Sequence, residues 1–188
     1  MSNLNSIALK IISSGKGILA ADESNGTMTK RLEAENVTSS PENRLKFRNI
    51  LFSSDAMKNC VGGVILYDET IKQKVQSISI NEIISKTDAL PGIKVDTGTK
   101  NLSSSDEEKI TEGLDGLRER LKEYFDLGAR FTKWRGVYKI SKSYPSKVAI
   151  STNAHALARY SSLAQESGMV PIVEPEVLMD GSHSADDC

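Results

Sequence analysis

Cysteine and histidine are scarce: the 188 residues hold two of each. Cys60 and Cys188 stand far apart in the chain, so no structural disulfide is expected, and the expected setting is a reducing, cytoplasmic one. His155 falls in a helical pattern with no second ligand at helical spacing. His183 lies in the polar run DGSHSADDC, again without a recognised ligand spacing, so no metal cofactor is expected. No apolar run approaches the length of a membrane span. The N-terminal stretch MSNLNSIALKIISSGKG lacks the long apolar core of a secretory signal. Neither sign of charge prevails, with 24 basic against 25 acidic side chains and a net charge of -1. Nothing in that balance draws nucleic acid or an anionic membrane in bulk. No low-complexity segment or linker interrupts the chain, which is expected to form one domain over residues 1–188.

What the sequence does have is a recurrence of short apolar segments: GILAAD (17–22), VGGVILYD (61–68), GIKVD (92–96), RFTKWRGV (130–137) and VPIVEPEVL (170–178). Each is rich in Val and Ile and bounded by Gly or Pro, which predicts strands. Helical patterns lie between them. Ser40 and Pro41 suit the N-cap and first helical position of a helix running to Asp55. Asn81 to Lys86 reads as a short helix. Ile110, Leu114, Leu117, Leu121 and Tyr124 form an amphipathic stripe, and Ser151 to Ser167 reads as a helix closed by Gly168. Strand–helix alternation of this kind predicts βα units and a parallel sheet.

The predicted strands share a feature. Asp22 ends the first; Lys94 and Asp96 lie two apart in the third, Lys133 and Arg135 in the fourth, Glu174 and Glu176 in the fifth. Residues two apart on a strand project to one face. One such pair would mean only an edge strand with a wet face. Repeated near the C-terminal strand ends of a parallel sheet, the pairs fit the mouth of a closed barrel, where barrel active sites are built. Acids and bases confined there shift each other's proton affinities. A carboxylate crowded by other carboxylates can hold a proton near neutral pH and serve as a general acid or base. The lysines and arginine suit an anionic substrate, a phosphate or a carboxylate.

In this order, GKGILAADES, GGVILYDET, GIKVD, GLDGLRERL, KWRGVYKI, NAHALARYSSLAQESG and VPIVEPEVL closely resemble the class I fructose-bisphosphate aldolase family, from about Lys16 to Gly181. The resemblance implies a TIM (β/α)8 barrel, here its first five βα units, and a metal-independent lyase of glycolysis that works through a lysine Schiff base. Its substrate would be a phosphorylated sugar, and its full-length chains would form homo-oligomers. By the same resemblance Asp22 handles the substrate hydroxyl near the bond being cut, and Lys133 assists the carbinolamine chemistry. Glu174 is the proton acceptor, and Glu176 is the glutamate beside the Schiff-base lysine. Arg135, Lys94 and Arg44 match substrate-binding residues, and Lys30 and Arg31 match a basic pair near the sugar's far phosphate.

Two departures stand out. Thr97 follows Asp96 where many family members have lysine. The family's Schiff-base lysine lies on a sixth strand, and no LLKPN-like segment carrying it occurs in this chain, which runs to about half the family's length. Two readings of function follow. One is an aldolase that cleaves fructose 1,6-bisphosphate when full length. The other is a truncated, non-catalytic fragment that acts through association with a partner or with full-length chains. An open five-stranded piece is further expected to leave its inner charges solvated rather than confined.

Overall fold

The computed structural model describes residues 2–103 and 105–188. Five strands make one sheet, all parallel, whose spatial order follows the chain: β1 (Gly17–Ala21), β2 (Val61–Leu66), β3 (Leu90–Lys94), β4 (Phe131–Tyr138) and β5 (Val170–Val177). Around them run α1 (Ser2–Ile12), α2 (Asn25–Ala34), α3 (Pro41–Phe52), α4 (Ala56–Cys60), α5 (Asp68–Ile71), α6 (Ile80–Ser85), α7 (Leu117–Asp126) and α8 (Lys147–Glu166). Neighbour-to-neighbour order with helices between strands is the arrangement of a (β/α)8 barrel, here present in part. Serine side chains begin several of these helices. Ser24, Ser40 and Ser146 accept a backbone N–H from the first turn of α2, α3 and α8, and Ser79 forms a full capping box with Glu82 ahead of α6.

Alternation along the strands divides the apolar residues between two cores. Val64, Leu66, Ile93, Val95 and Trp134 face outward and pack under the helices with Phe52, Ile80, Leu121 and Leu157. Trp134 stacks on Tyr160 of α8 with ring centroids 5.5 Å apart. The Tyr160 hydroxyl meets Thr132 at 2.7 Å and donates to the Ile172 carbonyl at 3.1 Å, which ties α8 to both β4 and β5. On the inner face, Ile65, Leu90, Phe131, Val170 and Ile172 gather around Ile7 and Ile11 of α1. Glycine makes room for this inner core. A Cβ on Gly92 would lie 2.3 Å from the Phe131 ring, and one on Gly62 would lie 1.9 Å from the Ile11 carbonyl oxygen. The inner floor is therefore apolar, and on β3, β4 and β5 the inner-facing residues one or two repeats further along, Lys94, Lys133 and Glu174, are charged, with Asp22 at the end of β1.

Several boundaries differ from the sequence reading. The N-terminal stretch forms α1 and plugs the base of the sheet, where its Ile7 and Ile11 complete the inner core. Ile110 belongs not to a helix but to an antiparallel hairpin, Thr99–Asn101 with Lys109–Thr111, so α7 begins only at Leu117 after Gly116 in a left-handed conformation. The apolar period ran through that hairpin because one strand residue can share a helical phase by coincidence. The helix begun by Pro41 ends at Phe52, with α4 as a separate turn, and α8 starts at Lys147 because Ser146 caps it.

Candidate active site

Lys133 stands at the centre of the charged end of the sheet. Its Nζ donates to Asp22 Oδ2 at 2.9 Å and lies 3.1 Å from Glu174 Oε2. β4 carries the lysine, β5 the glutamate, and Asp22 follows the last paired residue of β1, so three strand ends converge on one ammonium. The Lys133 and Asp22 side chains are only 12% and 11% exposed, which corrects for this pair the expectation that an open sheet would leave its inner charges solvated; Glu174, at 34%, stays open to water. The apolar floor and the loop after β1 enclose the pair. Burial alone would push the Lys133 pKa down, but the hydrogen bonds and charges of Asp22 and Glu174 outweigh it and hold the ammonium above the ordinary lysine value.

Register sets the remaining pairs. Lys94 and Lys133 lie side by side in the ladder, a repulsive arrangement, and each turns to its own acid. Lys94 Nζ bonds to Asp96 Oδ1 and, at 3.1 Å, to the Asp96 carbonyl, while the Gly98 N–H donates to the same carboxylate at 3.1 Å. Arg135 is registered beside Glu174, but its Nη1 pairs with Glu176 Oε2 at 2.9 Å; this pair is 40% and 36% exposed at the rim. Each inner carboxylate thus meets a cation, as expected of acids and bases mixed at the strand ends, and none faces only other carboxylates. Cationic β4 lies beside anionic β5, and their charges interdigitate.

Above this cluster opens a cleft of about 470 Å³ lined by Asp22, Ser24, Thr27, Arg31, Lys94, Gly98, Lys133 and Arg135, among others. Four of those residues are cations, and each is paired with a carboxylate, Arg31 with Glu23, Lys94 with Asp96, Lys133 with Asp22 and Glu174, and Arg135 with Glu176, so the cleft offers a ligand charged hydrogen-bonding groups of both signs. Arg31 sits at its mouth, paired with Glu23. Lys30 and Arg44, singled out from the sequence with Arg31, do not line it. Lys30 is exposed on α2 and forms no ion pair among the described residues. Arg44 points from α3 to Glu69, to which Nε and Nη2 donate at 2.9 and 2.5 Å, and its Nη1 donates to Ser39. That bidentate bond occupies the guanidinium and holds the Glu69 carboxyl below the usual carboxylate range, against its burial.

Ser24, Thr27 and Gly98 were not singled out from the sequence. Ser24 and Thr27 had a readable signal in the cap-and-first-turn run SNGT (24–27), two residues past Asp22. Gly98 had none, because its place depends on the hairpin that folds back over the site, where the Glu112 N–H donates to the Gly98 carbonyl.

Chemically, the cluster pairs a protonated lysine with two carboxylates within one hydrogen bond of it, beside a cleft whose wall includes Arg31, Lys94 and Arg135. It can move protons between a bound hydroxyl compound and either carboxylate and neutralise charge that develops between them.

Comparison with known proteins gives this arrangement a family. A family model described as fructose-bisphosphate aldolase class-I matches residues 3–188. The non-muscle-type fructose-bisphosphate aldolase of Lethenteron camtschaticum is 52% identical over 98% of this chain, and fructose-bisphosphate aldolase B of Gallus gallus matches to the same extent. This chain spans 51% of the length of each, about half of the relatives it matches. The fructose-bisphosphate aldolase of Plasmodium falciparum, solved in complex with TRAP and a small-molecule inhibitor, superposes with a TM-score of 0.95 at 44% identity, over 98% of this chain and 54% of that one. The half-sheet and its outer helices match that fold in part, and the chain belongs to the class I fructose-bisphosphate aldolase family.

Proposed function

We propose that this chain carries the proton-transfer and anion-binding half of a glycolytic aldolase site. In the full-length protein that site would reversibly cleave fructose 1,6-bisphosphate to dihydroxyacetone phosphate and glyceraldehyde 3-phosphate through a lysine Schiff base. The observation that carries the reading is Lys133 held between Asp22 and Glu174, at 2.9 and 3.1 Å, beneath a cleft rich in cations. In this reading Asp22 takes and returns the proton of the hydroxyl beside the breaking bond. Glu174 accepts and donates protons at the carbinolamine, and Lys133 stabilises the negative charge that appears between them. Arg31, Lys94 and Arg135 bind the phosphates, and Glu176 holds Arg135 in place. The imine itself needs a nucleophilic lysine, and Lys133 is kept protonated by its two acids. In this reading Lys133 is therefore not the imine-forming residue, which the family resemblance puts on a sixth strand. A cytoplasmic setting and homo-oligomeric assembly of the full-length protein complete the proposal.

Calorimetric titration of the chain with fructose 1,6-bisphosphate tests the half that is present. Binding that is weak yet measurable, absent with unphosphorylated fructose and lost in Lys133→Met, is the expected result. Equal binding of both sugars would sink the reading.

A second reading, association without catalysis, is favoured by the two open edges. Ile18 on β1 and Val173 on β5 remain 40% and 48% exposed. Concentration-dependent sedimentation that disappears in Val173→Lys, together with no sugar-phosphate binding, would favour it instead.

A further inference from the structure

α3 buries a charge that the proposed chemistry does not use. The Arg48 side chain is 0% exposed, yet it makes a single hydrogen bond, from Nη2 to the Glu23 carbonyl at 2.6 Å. The same nitrogen lies 3.8 Å from Glu23 Oε2. Arg48 Nε and Nη1 have no partner among the described residues, and neither does the buried Glu23 Oε2. Burial pushes the guanidinium's proton affinity down, against the pull of Glu23, Glu69 and, more weakly, Asp22. A guanidinium kept inside with two unanswered donors is costly. A methionine or leucine would fill similar volume between α3 and the sheet without that cost. Neither could grip a peptide carbonyl.

The peptide Arg48 grips is the one between Glu23 and Ser24, one residue past Asp22. The β1 ladder ends at Ala21 opposite Leu66, so Asp22 extends one residue past the last paired position. The next support along the chain is Ser24, the cap of α2. The Glu23 carbonyl lies between these two points and is held by Arg48, while Glu23 Oε1 takes Arg31 at the cleft mouth. One buried cation thus braces the turn that presents both the inner carboxylate and the outer arginine.

We infer that Arg48 is a positioning residue: through the Glu23 carbonyl it sets the Asp22 carboxylate against Lys133, and through the Glu23 side chain it steadies Arg31 at the cleft mouth. The inference deepens the reading above and rests on it for its catalytic meaning, but the placement is a property of this chain alone.

An NMR titration of the lysine side chains reads that placement. Lys133 keeps its proton through Asp22 and Glu174, with Lys94 and Arg135 as its other charged neighbours on the sheet, and none of these is altered. In Arg48→Met the Lys133 titration is expected to move to lower pH, raising its free-amine fraction at pH 9 at least about threefold. Met57→Ala, a core truncation in α4 at the opposite end of the sheet, should leave it in place. An unmoved Lys133 titration in folded Arg48→Met would overturn the inference, and so would an equal movement in Met57→Ala. Should Arg48→Met not fold, Arg48→Gln, too short to reach the Glu23 carbonyl, is read in its place against the same two outcomes. Loss of sugar-phosphate binding alone would sink the functional reading and leave this inference standing, so the two failures are distinguishable.

Discussion

At Lys133 two opposing effects meet, and geometry decides between them. Burial favours the free amine, while the two carboxylates within hydrogen-bonding distance favour the ammonium and win. An ammonium has no lone pair with which to attack a ketone. Incubation of the chain with fructose 1,6-bisphosphate and borohydride is therefore expected to leave Lys133 unmodified; an adduct mapped to it by mass spectrometry would contradict the assignment of its role. Arg44 makes a different test. Its bidentate bond with Glu69 is largely buried, at 9% and 20% side-chain exposure, so Arg44→Met should cost roughly 2–3 kcal/mol of stability at neutral pH. Glu69's folded pKa is depressed, so its contribution is fully present above the ordinary value of 4.5 and is lost as pH falls through the folded value. The stability gap between wild type and Arg44→Met should accordingly narrow below about pH 4. A gap that stays constant across the acid range, measured by urea denaturation, would show that the pair does not carry it.

At the scale of elements, the inner floor under the site depends on two absent side chains. Phe131 lies where a Cβ on Gly92 would be, 2.3 Å from the ring. Gly92→Ala is expected to destabilise the chain by about 1–3 kcal/mol through overpacking, and Phe131→Leu should recover part of that loss. A neutral Gly92→Ala would mean that the ring does not hold that position. These elements also show what could be read without coordinates. The five strands and their i, i+2 charges were legible because strand period and βα alternation are local signals, and Asp22, Lys133, Glu174 and Arg135 came with them. The hairpin over the site was not, since Ile110 fell into a neighbouring helical phase by accident. Nor was the brace from Arg48 to Glu23, which joins residues 25 apart in sequence and has no signal beyond a basic residue on a helix. The same limit explains Arg44: a guanidinium on α3 reads alike whether it meets a ligand or Glu69.

On the scale of the whole molecule, the sheet stands open at β1 and β5, and its two edges are unlike. Along β5 the backbone groups of Val170 and Leu178 turn toward β4, so those of Pro171 and Pro175 turn to the free side, where proline offers no N–H. That edge keeps carbonyls but loses two donors, which blunts pairing with arbitrary strands. The centre of the site is nevertheless assembled: Asp22, Lys133 and Glu174 are in contact, and the cleft beside them is lined by cations. On the function proposed above, this cluster moves protons during carbon–carbon cleavage. The most direct test joins the 188 residues to the remaining half of a family relative and compares wild type with Glu174→Gln by steady-state turnover of fructose 1,6-bisphosphate. A group that acts mainly in the transition state should, on removal, lower kcat by about 10²-fold or more while KM stays within about threefold. An unchanged kcat, or a loss expressed wholly in KM, would contradict the account.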